Sequence, residues 1–318
     1  MATETVVVIG SGIVGKSWAM LFASAGHQVR LYDSFPQALE AAPQQITEKL
    51  KSLEANGQLR GKIPADEQIA LISYKNDLKE ALKGATYIQE CTPERLEIKS
   101  GVFQDLDKAL AEIGNDKAVI GSSTSTIMPS KFIGDLSIKT RSVVVHPVNP
   151  PYFVRLVEII PTSSTDPKVT AYVRQLLADL GQKPVVMNKE LAGFALNRIQ
   201  YAILNEMWRL VNDGVLSVED ADTVMTEGLA PRYCFIGPLE TAQLNAEGFT
   251  DYCERYGEAI YDVSLTQTEI PKMTAEGSKE IDRQLQEKVP NAELQARRAW
   301  RDENLAKLAV FKKNLGIL

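Results

Sequence analysis

The sequence predicts an α/β protein in which a doubly wound, largely parallel sheet domain, residues 1–188, precedes an all-α domain, residues 189–318. Three observations support this prediction. Short apolar runs alternate with helical patterns as far as about residue 187, and such alternation is typical of a parallel sheet covered by helices. From Phe194 onward the pattern is helical almost throughout. The length of 318 residues also exceeds that of a typical single domain.

Each predicted strand of the first domain is a short run rich in valine and isoleucine. The runs cover residues 5–9, 28–32, 86–91, 118–121, 142–145, 154–160 and 184–187. Helical spacing of apolar residues separates several of them, as over residues 96–113. The segment 36–71 predicts a helical hairpin, which Pro43 should interrupt. In the second domain, an apolar stripe over residues 199–210 and a capping box at residues 217–220 predict further helices.

Composition and charge narrow the possible functions. The chain is 44% apolar and 24% charged, as expected for a folded globular protein. Its net charge of −6 argues against nucleic acid as a partner. The widely spaced Cys91, Cys234 and Cys253 favour a reducing compartment and argue against a structural disulfide or a metal site. No apolar run would span a bilayer and no signal-peptide pattern is present, so we expect a cytoplasmic protein without a membrane partner.

The segment VVVIGSGIVGKSWAMLFASAGHQVRLYD contains a glycine-rich loop that fits two patterns. Gly10, Gly12 and Gly15 match the dinucleotide fingerprint GxGxxG. The same segment, with Lys16 and Ser17, also matches the phosphate-binding loop GxxxxGK[ST]. An apolar face at helical spacing follows the loop, as the fingerprint requires of a strand, turn and helix.

The residues that end the predicted strands favour the dinucleotide pattern. Asp33 ends the second strand, where a Rossmann-type domain places the acid that holds the ribose hydroxyls. A nucleotide triphosphatase would need an aspartate after a later strand for magnesium, but those strands end at Cys91, Gly121 and His146. A carboxylate also repels a 2′-phosphate, and no arginine follows Asp33 directly. The sequence therefore predicts NAD rather than NADP; a glycine turn without a ligand is the alternative.

The stretch VVVHPVNPPYFVRLVEII places Glu158 inside an apolar strand. Because a buried carboxylate needs a partner, we expect Glu158 to pair with His146 across the intervening loop. Such a pair is typical of a general base, although a purely structural pair fits the residues equally well. A neighbouring NAD favours alcohol oxidation, in which His146 takes the hydroxyl proton. His27, the other histidine, is expected to be a solvated turn residue.

Several segments occur together in an order that resembles the 3-hydroxyacyl-CoA dehydrogenase family. They are the glycine loop, SSTST at 122–126, HPVNPPYF at 146–153, Glu158 and AGFALNR at 192–198. The resemblance covers essentially the whole chain. It is closest to the lambda-crystallin or L-gulonate 3-dehydrogenase branch, through RYCFIGPLET at 232–241, LNAEG at 244–248 and RRAWRDE at 297–303.

The resemblance implies a role for particular residues. It makes His146 and Glu158 the catalytic dyad, and Ser125 and Asn197 the groups that hydrogen-bond near the reacting oxygen and orient the substrate. It also implies a homodimer formed through the helical domain. Beside the glycines of the loop, the expected NAD contacts are Ile13, Val14, Asp33, Glu94 and Lys99.

Departures from the family pattern bear on the substrate. Acyl-CoA members typically carry an aromatic residue where this chain has Pro147, and a small Gly-Tyr-Pro segment in the region of Arg232. These departures favour a small free hydroxy acid, with L-gulonate as the expected substrate. The alternatives are an L-3-hydroxyacyl-CoA or 3-hydroxybutyrate dehydrogenase and a structural, crystallin-like role. Arg232 is the candidate for binding the substrate carboxylate, with Arg198 second and a solvated loop arginine as the alternative interpretation.

Overall fold

The computed structural model describes residues 3–317, which pack as two units. The first comprises the chain up to Arg198 together with Asn304–Val310. The second comprises Ile199–Glu303 and the residues from Phe311 onward. The expected boundary at residue 188 lies ten residues before this division. The sequence pattern did not predict that Asn304–Val310 would belong to the first unit.

The first unit is built on one sheet, which has eight strands within residues 3–317. The strands are β1 (Thr5–Ile9), β2 (Gln28–Tyr32), β3 (Ile72–Lys75), β4 (Tyr87–Glu90), β5 (Val119–Ser122), β6 (Ser142–Pro147), β7 (Leu156–Ile160) and β8 (Lys183–Val186). Their order across the sheet is β3-β2-β1-β4-β5-β6-β7-β8. All neighbours are parallel except β6 and β7, which are antiparallel. The predicted doubly wound, largely parallel sheet is confirmed.

Helices cover both faces of this sheet. They are α1 (Ile13–Ser24), α2 (Pro36–Ala55), α3 (Ala65–Ala70), α4 (Leu78–Leu82), α5 (Leu96–Glu112), α6 (Ser130–Ile133) and α7 (Pro167–Asp179). Because side chains alternate along a strand, Val6 and Val8 of β1 face one apolar cluster and Val7 and Ile9 face another. The order of strands reverses between β1 and β4, and open sheets of this kind bind ligands in the crevice at that point.

After β2, one expectation is wrong and one strand was missed. Helix α2 continues through Pro43, although the ring removes one backbone hydrogen-bond donor. Its buried stripe, Leu39, Ala42, Ile46, Leu50 and Leu53, runs on both sides of the proline, so packing outweighs this local loss. Strand β3 was not predicted, because only Ile72 of this edge strand is buried and the apolar pattern is correspondingly weak.

The second unit is helical, as predicted. Helix α8 (Leu196–Asn212) leads into it, and a 3-10 turn spans Asn291–Glu293. A π-helical segment spans Val224–Leu229. The other helices are α9 (Val218–Thr223), α10 (Ala230–Tyr233), α11 (Pro238–Leu244), α12 (Phe249–Leu265), α13 (Lys279–Lys288) and α14 (Leu294–Asn314), of which the part Asn304–Val310 belongs to the first unit. Within residues 3–317, no helix combines the length and the apolar character needed to cross a membrane.

Candidate active site

The glycine loop between β1 and α1 has the geometry that a dinucleotide requires. Gly10 has a φ of +101°, in the left-handed region that favours glycine, and a Cβ there would lie 2.9 Å from the Cys91 carbonyl oxygen. A Cβ on Gly15 would lie 1.8 Å from the Gly10 carbonyl oxygen, so only glycine lets α1 pack against the turn. A Cβ on Gly12 would meet no atom within 4 Å, which leaves open space beside the first turn of α1. These residues fit a bound pyrophosphate.

The acid at the end of β2 lies against this loop. Asp33 Oδ2 accepts hydrogen bonds from the backbone N–H and the hydroxyl of Ser11, at 2.7 and 2.8 Å. Its other oxygen accepts from the backbone N–H of Phe35 at 2.9 Å. Ser11 was not singled out from the sequence, where it is only the variable position of the fingerprint. Asp33 is therefore held at the end of β2 against the glycine loop, and Ile13 and Val14 begin α1.

The side chains specific to a phosphate-binding loop are engaged elsewhere. Lys16 hydrogen-bonds to the side chain of Gln45 in α2. Ser17 donates its hydroxyl to the carbonyl oxygen of Ile13, one helical turn earlier, at 2.9 Å. Both residues therefore act as ordinary residues of the first turns of α1, which favours the dinucleotide interpretation.

His146 and Glu158 are joined as the sequence predicts. They face each other directly across the antiparallel strands β6 and β7, and His146 Nδ1 lies 2.7 Å from Glu158 Oε2. The residues are 4% and 1% exposed. The ring of Phe194, a buried residue with a φ of +51°, lies 5.5 Å from the His146 ring between centroids. Strand pairing and packing together restrict the orientation of the imidazole.

Glu158 has further partners at the start of α8. Its Oε1 accepts hydrogen bonds from the backbone N–H groups of Ala195 and Leu196, at 2.8 and 2.9 Å. Burial raises the pKa of Glu158, but the hydrogen bonds from His146, Leu196 and Ala195 outweigh it and hold the pKa below its usual value. An ionised Glu158 accepts a hydrogen bond from Nδ1–H, which leaves Nε2 of His146 as the basic nitrogen.

Ser125 and Asn197 contact each other. Asn197 donates its side-chain N–H to the Ser125 carbonyl oxygen at 2.7 Å, and Asn197 is buried. Asn197 follows Leu196 in the first turn of α8, so the turn that binds Glu158 also binds the loop that carries Ser125. The backbone N–H of Ser125 donates to Glu94 at 2.9 Å.

Besides Asp33, two charged residues were expected to contact NAD, and they occupy different environments. Glu94 is half-buried and accepts hydrogen bonds from residues 124–126. Lys99 is 1% exposed and forms an ion pair with Glu90, which is completely buried at the end of β4. Glu90 was missed from the sequence. A carboxylate inside a predicted apolar strand was the signal that revealed Glu158, and Glu90 lies inside the predicted strand at residues 86–91 in the same way.

Two other residues complete the account of the sequence predictions. Arg232 lies exposed in α10 of the second unit, where its guanidinium donates to the Gly228 carbonyl oxygen at 3.4 Å. His27 is not solvated: it is 2% exposed, its Nδ1 accepts from the backbone N–H of Glu4 at 3.1 Å, and its ring packs edge-on against Phe22. The expectation was wrong because the turn is enclosed by the start of β1 and by α1. Within residues 3–317, no group of three or more metal-ligating side chains is arranged to hold a metal.

The fold, the glycine loop with its acid, and the His146–Glu158 pair define a dehydrogenase that uses a nicotinamide dinucleotide. Residues 5–191 match the NAD binding domain of 3-hydroxyacyl-CoA dehydrogenase, and residues 193–286 match its C-terminal domain. The chain therefore belongs to the 3-hydroxyacyl-CoA dehydrogenase family, and its cofactor is NAD.

Individual proteins resemble the chain over most of its length. The lambda-crystallin homolog of Homo sapiens is 46% identical over 99% of this chain and 98% of its own length. L-carnitine dehydrogenase of Oceanobacillus iheyensis is 34% identical over 86% of each chain. A solved structure of 5-formyl-3-hydroxy-2-methylpyridine 4-carboxylic acid 5-dehydrogenase, an NAD+ dependent dismutase, superposes with a TM-score of 0.81 at 25% identity over 98% of each chain. The resemblance to the lambda-crystallin branch is confirmed.

Proposed function

We propose that the chain oxidises the 3-hydroxyl of a small free hydroxy acid, most specifically L-gulonate to 3-dehydro-L-gulonate. The buried His146–Glu158 pair, with 2.7 Å between Nδ1 and Oε2, is the observation that supports oxidation of a hydroxyl group. A histidine held in this way is suited to take a proton from a hydroxyl group. The choice of L-gulonate depends on the resemblance of residues 232–241, 244–248 and 297–303 to the lambda-crystallin branch.

In this proposal each side chain of the site has one task. NAD, when bound, supplies the acceptor for the hydride that leaves the hydroxyl-bearing carbon. His146 Nε2 takes the hydroxyl proton, and Glu158 stabilises the resulting imidazolium. Ser125 and Asn197 hydrogen-bond near the reacting oxygen and orient the substrate. Asn197 also donates a hydrogen bond to the Ser125 carbonyl oxygen at 2.7 Å, which links the two positions.

The residues proposed to hold the cofactor cluster at the carboxyl ends of β1, β2 and β4. The backbone of the glycine loop and the first turn of α1, which includes Ile13 and Val14, would bind the pyrophosphate. Asp33 would accept hydrogen bonds from the ribose hydroxyls. Glu94 and Lys99 are the other proposed contacts. The loop glycines of this set are Gly10, Gly12 and Gly15.

A free acid needs a cation that binds its carboxylate. Arg232 is the proposed residue, because an exposed guanidinium can donate to both oxygens at once. Arg198, which is also exposed and follows Asn197, is the second candidate. L-carnitine, for which one relative is named, carries a free carboxylate beside its 3-hydroxyl, and this supports a free acid over a thioester.

We also propose that the protein is a homodimer formed through its helical unit. Helix α12 has no buried residue in the single chain, and Phe249, Tyr256, Ile260 and Tyr261 are exposed. A helix with this much apolar surface normally packs against a partner. Sedimentation of the wild type and of Ile260→Glu tests the proposal. We expect a dimer that the substitution dissociates, and a monomeric wild type would contradict it.

A substrate panel tests the proposed reaction. L-gulonate, L-3-hydroxybutyrate and 3-hydroxybutyryl-CoA are each incubated with NAD and the purified protein, and NADH formation is followed by absorbance. We expect the highest kcat/KM with L-gulonate. A strong preference for the thioester would instead support an acyl-CoA dehydrogenase. Binding of NADH without turnover of any panel member would support the crystallin-like role, for which the lambda-crystallin homolog is the relevant relative.

A further inference from the structure

Phe194 adopts a backbone conformation that is unusual for its residue type. Its φ of +51° lies in the left-handed region, and within residues 3–317 every other residue with a positive φ is a glycine. In this region the Cβ of any other residue crowds the neighbouring backbone, so the conformation costs free energy. The preceding Gly193, with a φ of +74°, is the residue type that such a turn favours. The side chain of Phe194 should therefore make a contribution that offsets this cost.

The ring of Phe194 packs on the face of the sheet that carries the dyad. Side chains alternate along a strand, so His146 projects from the same face of β6 as Val144. Val144 and Phe194 belong to one apolar cluster, in which Phe194 is completely buried. The Phe194 ring lies 5.5 Å from the His146 ring between centroids, and the two planes make an angle of 56°. A rigid aromatic ring therefore lies against the imidazole.

The imidazole needs this second contact because its hydrogen bond to Glu158 leaves the ring free to tilt. A hydrogen bond tolerates deviations of about 30° from linearity, so the bond at Nδ1 fixes only one edge of the ring. Tilting displaces Nε2, the nitrogen that would take the hydroxyl proton. Such a base must lie within hydrogen-bond reach of the proton, and a misplacement of about 1 Å can cost about a hundredfold in rate. Packing of the Phe194 ring against the imidazole restricts this tilt.

The turn that contains Phe194 also reaches the other half of the dyad. Phe194 donates its N–H to the Leu191 carbonyl oxygen at 3.0 Å, which closes the turn. The next two N–H groups, those of Ala195 and Leu196, both donate to Glu158 Oε1. The left-handed conformation of Phe194 therefore occurs where the ring meets the imidazole and the following amides meet the carboxylate.

We propose that Phe194 is a positioning residue, whose ring holds the imidazole of His146 in the orientation that proton transfer to Nε2 requires. The proposal rests on the proposed function in making His146 the base. In this role Phe194 acts through His146 and needs no contact with the substrate.

Phe194→Leu tests the proposal, because leucine keeps the apolar bulk and the left-handed backbone but removes the flat ring. Phe103→Leu is the matched control. Phe103 is completely buried in the same apolar cluster, and its ring packs edge-on against Phe132 with 4.9 Å between centroids. The control therefore removes an aromatic contact of the same cluster that involves Phe132 rather than His146. Urea unfolding of both variants measures the stability that each substitution costs.

Nuclear magnetic resonance of the histidine rings reports on the imidazole without requiring activity. The chain has two histidines, so labelling with ¹⁵N-histidine gives few ring signals, and His27→Gln assigns them. We expect His146 of the wild type to carry its proton on Nδ1. In Phe194→Leu the exchange of this proton with water should accelerate about tenfold or more, as for a weakened hydrogen bond to a charged group. Phe103→Leu should keep the wild-type rate.

An exchange rate in Phe194→Leu equal to that of the wild type would overturn the proposal, whether or not the protein turns over any substrate. Accelerated exchange in a protein that oxidises no member of the substrate panel would support the positioning of His146 while the proposed function fails. The two failures are therefore distinguishable.

Kinetics separate positioning from general packing. For Phe194→Leu we expect kcat to fall about tenfold or more, while the KM for the substrate and the Kd for NADH stay within about twofold of wild type. Phe103→Leu should keep kcat within about twofold. Equal falls of kcat in the two variants would overturn the proposal. Phe194→Gly is the second variant should Phe194→Leu fail to fold, because glycine adopts the left-handed turn without strain, and a wild-type kcat in that variant would also overturn the proposal.

Discussion

His146 and Glu158 occupy directly opposed positions on the antiparallel strands β6 and β7, and their side chains meet at 2.7 Å. The antiparallel pairing explains this relationship. In the otherwise parallel sheet, β7 turns back after the loop at residues 148–155, and this brings together two residues that are twelve positions apart. The remaining oxygen of Glu158 binds the start of α8. One carboxylate thus orients the proposed base and anchors the turn that carries Asn197.

Replacing Glu158 with Gln should lower kcat less severely than loss of His146. The amide oxygen can still accept from Ala195 and Leu196, but the amide N–H₂ then faces Nδ1 and favours the tautomer with its proton on Nε2. We expect a fall in kcat of about tenfold to a hundredfold, with an altered acid side of the pH–rate profile. Steady-state kinetics from pH 5 to 9 check this. A variant with wild-type kcat would show that the carboxylate is structural.

Glu158 should also leave a signature in stability. Its pKa in the folded protein lies below the ordinary 4.5, so the unfolded chain binds the proton first as the pH falls. The contribution of Glu158 to the free energy of unfolding is therefore present above about pH 4.5. It is lost as the pH falls through the lower pKa that Glu158 has in the folded protein. Urea unfolding of Glu158→Gln should give a flatter dependence of the free energy of unfolding on pH below this point. Parallel curves for the two proteins would be inconsistent with the lowered pKa.

Much of the site could be predicted because its signals are local. The glycine loop, Asp33 and the carboxylate of Glu158 each stand out against an apolar strand or its end. The contacts that join Ser125 to Asn197 and Lys99 to Glu90 depend on how different elements pack in three dimensions, and the periodicity of the sequence does not reveal that packing. The burial of His27 escaped prediction for a similar reason, since a turn between a helix and a strand is normally solvated and only tertiary packing encloses this one.

Acidification should lower the stability of the fold through His27, as it does through Glu158, but in a higher pH range. Burial lowers the pKa of His27 below 6.5, and the nearby charges of Glu4 and Asp179 only partly oppose this. The unfolded chain therefore takes up the proton first, and stability falls as the pH drops below about 6.5. His27→Gln, whose carbonyl oxygen can accept from Glu4 N–H, should lose less stability between pH 7 and 5. Urea unfolding between pH 7 and 5 measures this loss of stability. An equal loss in the wild type and in His27→Gln would show that His27 does not cause it.

Asp33→Ala should weaken NAD binding and reduce the preference of the protein for NAD over NADP. The substitution removes the acceptor for the ribose hydroxyls and the repulsion of a 2′-phosphate. We expect the Kd for NAD to rise about tenfold or more, as for loss of a hydrogen bond to a charged group. Titrations with NADH and NADPH measure both effects. Ser11→Ala is the control, because it removes one hydrogen bond to Asp33 while keeping the carboxylate; an equal effect of the two substitutions would contradict a direct role for Asp33.

Arg232→Met should raise the KM for free hydroxy acids. If the guanidinium binds the substrate carboxylate, its loss costs about tenfold to a hundredfold in KM, the range for a hydrogen bond between charged groups. The KM for a thioester, which has no free carboxylate at that end, should change little. Arg198→Met is the matched control on the second candidate. An indifferent Arg232 variant beside a strongly impaired Arg198 variant would transfer the role to Arg198.

The most direct test of the account is the kcat of His146→Gln with the best substrate of the panel, measured together with the Kd for NADH. A general base contributes about 10²–10⁴ in rate, so we expect kcat to fall at least a hundredfold while the Kd for NADH remains within about twofold of the wild-type value. Near-normal turnover in a variant that still binds NADH would contradict the central claim that His146 takes the hydroxyl proton.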